Sequence, residues 1–309
     1  NYNKVIKLSK EVNHKLAFAY ATNSLAIVYS DQGNYPKALA LYKNALYQKE
    51  IEKDTLGMAN TLTSLGNIYR KTGKFEEAIN YLQKSLKFAD ALESKGLVST
   101  NKMNLANVYV DLKEYDKANQ FYQEALKIAR LINDKKDESL CLSDLGSLHL
   151  ELNQIEEAQN YFFESVVLSK EIDDKEQLCY NYTGLGEVYN RKKEHEKAVV
   201  YLKKAEELNE KVQDGFYMTS IYELLQDSYK NLGNEKEYEK YKLRYLENLK
   251  IENEEKLSGV KTFVDEAKSQ SEEAIKENRN KIYDFMRYDY TGAPWPYEWG
   301  TLGKMAVGN

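Results

Sequence analysis

The chain has 309 residues, 42% of them apolar and 30% charged, with 44 basic and 49 acidic side chains interleaved to a net charge of −5. No apolar run approaches the roughly 18 residues that a bilayer span requires. No basic stripe or basic-aromatic cluster is present, which argues against nucleic acid as the main partner.

In chain order, Tyr2, Val5 and Ile6 stand forty positions before Tyr42, Ala45 and Leu46, so residues 1–14 read as the second half of a truncated repeat. The start carries no initiator methionine and no signal or transit segment, and is expected to be a boundary or processing site within a longer protein. Residues 15–250 read as six 40-residue helix pairs. A leucine recurs at Leu25, Leu65, Leu105, Leu145, Leu185 and Leu225, followed four positions later by Tyr29, Tyr69, Tyr109, His149, Tyr189 and Tyr229. Thirteen positions after the first five leucines come Ala38, Ala78, Ala118, Ala158 and Ala198. A fixed period of this length marks a solenoid, whose units bury their apolar faces only against neighbours.

Within a unit, the small residue after the leucine (Ala26, Gly66, Ala106, Gly146, Gly186) lets a partner helix approach the backbone closely. Turn formers such as Gly33-Asn34 and Gly73-Lys74 end the first helix. A second helix, expected to be the longer, carries Tyr42, Leu82, Tyr122, Phe162 and Leu202, then Ala45, Ser85, Ala125, Ser165 and Ala205. In the sixth copy Gln226 and Tyr238 replace the small residue and the alanine, as a terminal unit allows.

This order of Leu-Gly, Tyr, Ala and aromatic resembles the tetratricopeptide repeat (TPR) in a long, 40-residue variant, similar to those of kinesin light chains, spindle-orientation adaptors and bacterial Rap-type receptors. The resemblance covers roughly residues 1–250. It implies an all-α, right-handed TPR-like helical solenoid whose first helices line a concave face.

Past the repeats, residues 251–287 read as a capping or linker helix, with apolar spacing through Val260, Phe263, Val264, Ala267, Ile275, Ile282 and Phe285. Residues 288–309 read as an extended, non-helical aromatic tail, since Pro294, Pro296 and several glycines break helices. Tyr290, Trp295, Tyr297 and Trp299 are its candidate anchors, docking either on the solenoid or, the favoured reading, in a larger assembly.

Reaction chemistry has little foothold. Cys141 and Cys179 are too few and too far apart for a disulfide framework or a zinc site, and free thiols fit a reducing, cytoplasmic compartment without requiring one. His149 and His195 fill aromatic columns of the repeat, and His14 lies in a connection, where it is most simply solvated. No metal site, cofactor site, triad or phosphate cradle is expected, and the chain reads as non-enzymatic. Glu76-Glu77 and Glu156-Glu157 open second helices, where negative charge suits the dipole.

The resemblance places ligand contacts at fixed offsets around the leucine. The candidates are Tyr20, Asn60 and Tyr180 five before it, Asn23, Thr63, Met103, Ser143 and Thr183 two before it, and Asn67, Asn107, Ser147 and Glu187 two after it, with Arg70 and Asn190 at the helix end. Asn67 and Asn107, stacked on consecutive repeats, can each donate to and accept from an extended backbone. Thr100 and Asn104 stand where carboxylate-binding relatives carry basic residues, which weakens a chaperone-tail reading. Acidic Glu187, Glu223 and Asp227 in the last two repeats suit a ligand with an apolar stretch and a basic end. The expected function is an interaction scaffold holding a peptide or protein segment in this groove. The alternatives are the sensor region of a signalling protein with its output domain elsewhere, or a subunit of a large complex anchored by the tail.

Overall fold

The computed structural model describes residues 2–211 and 217–254. Among these, every regular element is an α-helix. After α1 (Tyr2–Glu11) come α2 (Lys15–Asp31), α3 (Tyr35–Ile51), α4 (Thr55–Lys71), α5 (Phe75–Ala91), α6 (Lys95–Asp111), α7 (Tyr115–Leu131), α8 (Lys135–Glu151), α9 (Ile155–Glu171), α10 (Lys175–Arg191), α11 (His195–Lys211) and α12 (Met218–Asn231). A final described helix, α13, covers 235–254 and so runs through residue 250. The segment expected as a capping helix from Val260 onward, and the tail with Tyr290, Trp295, Tyr297 and Trp299, lie outside the described residues.

The 40-residue sequence period hides a 20-residue backbone period. From α2 to α11 each helix has 17 residues, so the second helix is no longer than the first, contrary to the expectation. The cause is a common terminator. Gly33, Lys53, Gly73, Glu93, Lys113, Asn133, Asn153, Asp173, Lys193 and Gly233 all take φ between 52° and 74°. After each, an amide bonds five residues back in the Schellman pattern, as in Asn34 N to Tyr29 O (2.8 Å) and Glu114 N to Tyr109 O (2.8 Å). The residue making that bond is also the N-cap position of the next helix, and at several junctions its side chain caps that helix. Asp54 accepts from the Gly57 amide, Asp134 from those of Lys136 and Asp137, and Asp174 from that of Gln177. His14, expected to be merely solvated, caps α2 by accepting from the Ala17 amide (3.1 Å). Pro36 sits in the first turn of α3, where its missing N–H costs nothing.

Each first helix packs on the second helix that follows it. Leu65, Leu105, Leu145, Leu185 and Leu225 are at most 1% exposed, and Ala38, Ala78, Ala118, Ala158 and Ala198 are fully buried. A Cβ on Gly66 would lie 2.6 Å from Leu82, and one on Gly186 2.4 Å from Leu202, so these positions set the approach of the two helices. Above the second, third, fifth and sixth hairpins an aromatic pair stacks: Tyr69 on Tyr81 at 5.1 Å, Tyr109 on Phe121 at 5.5 Å, Tyr189 on Tyr201 at 5.3 Å and Tyr229 on Tyr241 at 5.5 Å. His149 takes the same place on Tyr161 at 5.1 Å, and both its ring nitrogens are buried without a partner.

Consecutive first helices also touch one another: α4 meets α6, α6 meets α8, and α8 meets α10. Among the described residues, α3, α5, α7, α9 and α11 show no comparable contact with one another. The stack of residues 2–254 therefore curves with the first helices on its inner face.

Candidate peptide groove

The inner face sorts the predicted ligand-contact columns into two kinds. Thr63, Met103 and Ser143, two before the leucine, are buried rather than groove-facing. Their side chains point into the junction between repeats. Thr63 bonds Ser85 (2.9 Å) and Asn101 (3.0 Å), and Ser143 bonds Ser165 (2.8 Å) and Asn181 (2.6 Å). This corrects the assignment of those three positions to the ligand surface. A column that is polar in some copies and apolar Met103 in another reads as exposed in the sequence. It is in fact a hydrogen-bonded seam in some junctions and an apolar contact in the next. Asn23 accepts from Thr61 (2.9 Å) in the corresponding junction of the first two repeats, and Thr183 bonds back to the Cys179 carbonyl (2.9 Å).

Other candidates keep an open edge. Asn60 and Tyr20 are exposed, and Asn67, Asn107, Ser147, Tyr180 and Glu187 are half-buried. Several are already committed. Tyr20 donates to Asp54 (2.7 Å), Glu187 pairs with Arg191 (2.6 Å), and the Asn190 amide donates to the Leu224 carbonyl (3.1 Å) while its oxygen accepts from Ser228 (2.8 Å). His195 also meets the Asn190 oxygen at 3.0 Å.

The middle of the groove is where the structure brings most together. Arg70 of α4 pairs with Asp111 of α6 (2.9 Å), the Tyr122 hydroxyl of α7 donates to Asn107 of α6 (2.5 Å), and Ser147 of α8 meets the Tyr180 hydroxyl of α10 (2.8 Å). Asp144 of α8, which the column reading missed, acts electrostatically on Tyr122 and Tyr180 of this set and is acted on by Arg70. The position before the leucine reads Ser24, Ser64, Asn104, Asp144, Gly184 and Leu224, so a lone charge in an otherwise uncharged column was the available signal. Burial pushes the Asp144 carboxyl up to about 7, and the Arg70 guanidinium is the one charge that pulls it back. Asp144 in turn helps raise Tyr180, which burial carries to about 12. Among the described residues nothing donates a hydrogen bond to Asp144, and no cation stands in ion-pair contact with it.

Catalytic chemistry gains no geometry here. Burial raises both thiols, Cys179 to about 12 and Cys141 further, which suppresses the reactive thiolate. Among the described residues no group of His, Cys, Asp and Glu is arranged to hold a metal, and no helix is long and apolar enough to cross a membrane.

No curated protein matches this chain. Solved structures do. A Rap protein in complex with Competence and Sporulation Factor is 17% identical over 78% of this chain and 76% of its own, with a TM-score of 0.61. Aspartyl phosphate phosphatase F from Bacillus subtilis is 16% identical over 94% of this chain and 77% of its own, at 0.65. A signal-transduction ATPase with a tetratricopeptide-repeat sensor from Pyrococcus horikoshii is 22% identical over 78% of this chain, at 0.64, but this chain spans only 36% of its length. At these identities the likeness is one of fold. Tetratricopeptide-repeat family models match residues 17–91, 97–166 and 180–212, more than half of the sequence. The hairpins, their small-residue contacts and these matches agree: the chain belongs to the tetratricopeptide-repeat family.

Proposed function

We propose that the chain is a non-enzymatic interaction module that holds a peptide or protein segment on the inner face of its first helices. The observation that carries this reading is the middle of that face. Asn67, Asn107, Ser147 and Tyr180 line it with donors and acceptors from four consecutive first helices. An extended segment supplies backbone groups for the asparagines and side chains for the hydroxyls. A Rap conjugation gene regulator of similar fold, 17% identical over 77% of this chain, was solved in complex with the Phr* peptide, which supports a peptide as the class of ligand.

The test is peptide or partner binding by the wild type and by the Asn67→Ala/Asn107→Ala double variant, with folding checked by circular dichroism. Binding lost by at least about tenfold, roughly 1.4 kcal/mol, supports the groove. Identical binding removes it. A second reading rests on the archaeal ATPase, in which a repeat region of this fold serves as a sensor. Here the groove would report its ligand to an output domain elsewhere in the protein. A kinase or DNA-binding domain encoded in the same reading frame would favour it.

A further inference from the structure

The second helices form the outer face of the stack, and because α9 and α11 make no close backbone contact, a furrow runs between them. Its floor is Tyr182 of α10, which is buried and rests on Tyr201 of α11 at 6.0 Å. Phe163 of α9 meets Tyr201 across the furrow, edge to face at 6.1 Å. One turn further along α9 stands Val167, 56% exposed. Lys170 of α9 and Lys204 of α11 both lie over the Tyr182 ring, at 6.0 and 5.6 Å, and Lys204 also lies over Tyr201 at 5.0 Å. Both lysines are exposed, and among the described residues their contacts are these rings and no carboxylate.

The 40-residue register shows how the other furrows settle the same positions. Between α7 and α9 they are Arg130 and Glu164, an ion pair at 3.0 Å, and Gln123 donates to the Tyr161 hydroxyl (2.9 Å) where Phe163 meets Tyr201. Between α5 and α7 they are Asp90 and Glu124, and the floor residue Lys102, in the place of Tyr182, pairs with Glu124. Past α11, Arg244 pairs with Glu206 (2.8 Å). Between α9 and α11 both positions are cations and the floor is a neutral phenol. The acids beside them in sequence are engaged elsewhere, Glu171 by Lys135 (2.9 Å) and Glu206 by Lys203 (2.9 Å) and Arg244. The apolar side of this furrow is equally out of pattern. The column of Phe163 is otherwise Lys43, Gln83, Gln123 and Lys203, and Val167 stands where Lys87, Lys127 and Glu207 do.

We infer that this outer furrow is a second docking surface, for a partner segment that sets an Asp or Glu side chain between Lys170 and Lys204 and an apolar side chain against Phe163 and Val167. The carboxylate takes charge-assisted hydrogen bonds from the two ammonium groups, the role that Glu164 fills toward Arg130 one repeat earlier. Exposed ion pairs alone contribute little, and the apolar contact beside them adds buried area. A segment with a basic residue at that point is rejected by like-charge repulsion. Because the furrow lies on the second helices, it is filled independently of the inner groove.

The experiment is selection from a displayed library of random twelve-residue peptides, using the intact chain. Enriched peptides are synthesised unchanged and with Asp or Glu replaced by its amide. Each is titrated calorimetrically against wild type, Lys204→Glu, Phe163→Gln/Val167→Lys and Asn67→Ala/Asn107→Ala. The first two variants borrow residues that the preceding repeat carries at the same positions, Glu164, Gln123 and Lys127. Lys204→Glu sets a carboxylate opposite Lys170 and fills the site from within, so its thermal melt should not fall. The expected result is a set of peptides with an acid near an apolar residue, which lose about tenfold or more in affinity on either furrow variant and nothing on Asn67→Ala/Asn107→Ala. Amide replacement should cost the wild type a similar factor and cost Lys204→Glu little more, the non-additivity of a direct pair. Peptides indifferent to Lys204→Glu, or no acidic peptide enriched at all, overturn the furrow. Acidic peptides that ignore Phe163→Gln/Val167→Lys overturn it too, since they report unspecific attraction to lysines. Peptides lost only on Asn67→Ala/Asn107→Ala leave the inner groove standing without the furrow. If Phe163→Gln/Val167→Lys melts early, Val167→Lys alone, which leaves the ring contact in place, is titrated instead.

Discussion

At the scale of single residues, position in the repeat sets the environment, and the environment sets the chemistry. Asp144 shares its backbone setting with Ser24, Ser64 and Asn104, yet it is the one that brings a charge into a screened place. Its folded pKa, about 7, lies above the ordinary carboxylate value, so folding favours the protonated form. Its contribution to stability is therefore fully present below about pH 4 and is lost as pH rises through 7. Asp144→Asn removes that loss. We expect it to raise stability at pH 8 by roughly 1–2 kcal/mol, less than the full shift would convert to because the residue keeps an edge on the groove. The gain should vanish near pH 4, and urea titrations at the two pH values measure it. An equal effect at both would show that charge is not involved. The two thiols make the opposite case, since they are buried for their size alone. Cys179 stands in the column of Ala59, Ser99 and Ser139, and its sulfur rests against the Ala205 carbonyl (3.4 Å). Both should react with a disulfide reagent only as fast as the chain opens, and labelling at the rate of a free thiol in native buffer would contradict that burial.

At the scale of helices and turns, much was legible in the sequence because the same contact is made again and again. Leu65, Gly66 and Ala78 announce a close helix pair, and the structure puts Leu82 where a Gly66 side chain would have to be. The equal helix lengths were not legible. The left-handed terminator is glycine at Gly33, Gly73 and Gly233 but lysine, glutamate, asparagine or aspartate elsewhere, so composition gives no uniform stop signal. A lysine at that angle pays for its Cβ, which suggests a stabilising change. Lys113, at φ 60°, is exposed and makes no use of its side chain in the turn. Lys113→Gly should raise stability by about 0.5–1 kcal/mol, the relief of left-handed strain less the extra freedom of glycine when unfolded. A lower melting temperature would mean that the strain is negligible. The seam between repeats was equally hidden, because serine, threonine and asparagine in a helix look like surface. The set Thr63, Ser85 and Asn101 recurs 80 residues on as Ser143, Ser165 and Asn181. The next junction replaces it with Met103, Ala125 and Cys141, all buried and two of them apolar. Asn181 holds Ser143, Ser165 and Ser169 together. Asn181→Leu removes one partner from each of those hydroxyls, which keep their bonds to one another and to backbone carbonyls, and should cost about 1–3 kcal/mol, which thermal unfolding would show. A neutral substitution would mean that the seam is loosely bonded.

At the scale of the whole described stack, stability is the sum of hairpins and the junctions that couple them. The second to fifth hairpins each bury a leucine and a small residue against the partner helix, and the strongest contacts of each junction are with the next repeat. Among the described residues α1 packs on a helix on one side only. Tyr2 and Val5 of α1 are 44% exposed, whereas Tyr42 and Ala45, their counterparts in α3, are 3% and 0% exposed. Leu145 in the fourth repeat is fully buried, in the same cluster as Tyr122, Leu126 and Leu142. Leu145→Ala should cost about 2–5 kcal/mol locally. Because coupling passes only between neighbours, the damage should not spread evenly. It should separate a two-sided stack into halves that unfold at different denaturant concentrations. Hydrogen exchange by mass spectrometry in the wild type should show the slowest amides in α6 to α10 and faster exchange toward α1. In Leu145→Ala the fastest new exchange should appear in α8 and α9, with the amides of α4 and α5 and those of α10 and α11 keeping separate rates. A single rate raised uniformly from α2 to α11 would show instead that the stack folds as one cooperative block, and that its curvature couples repeats beyond nearest neighbours.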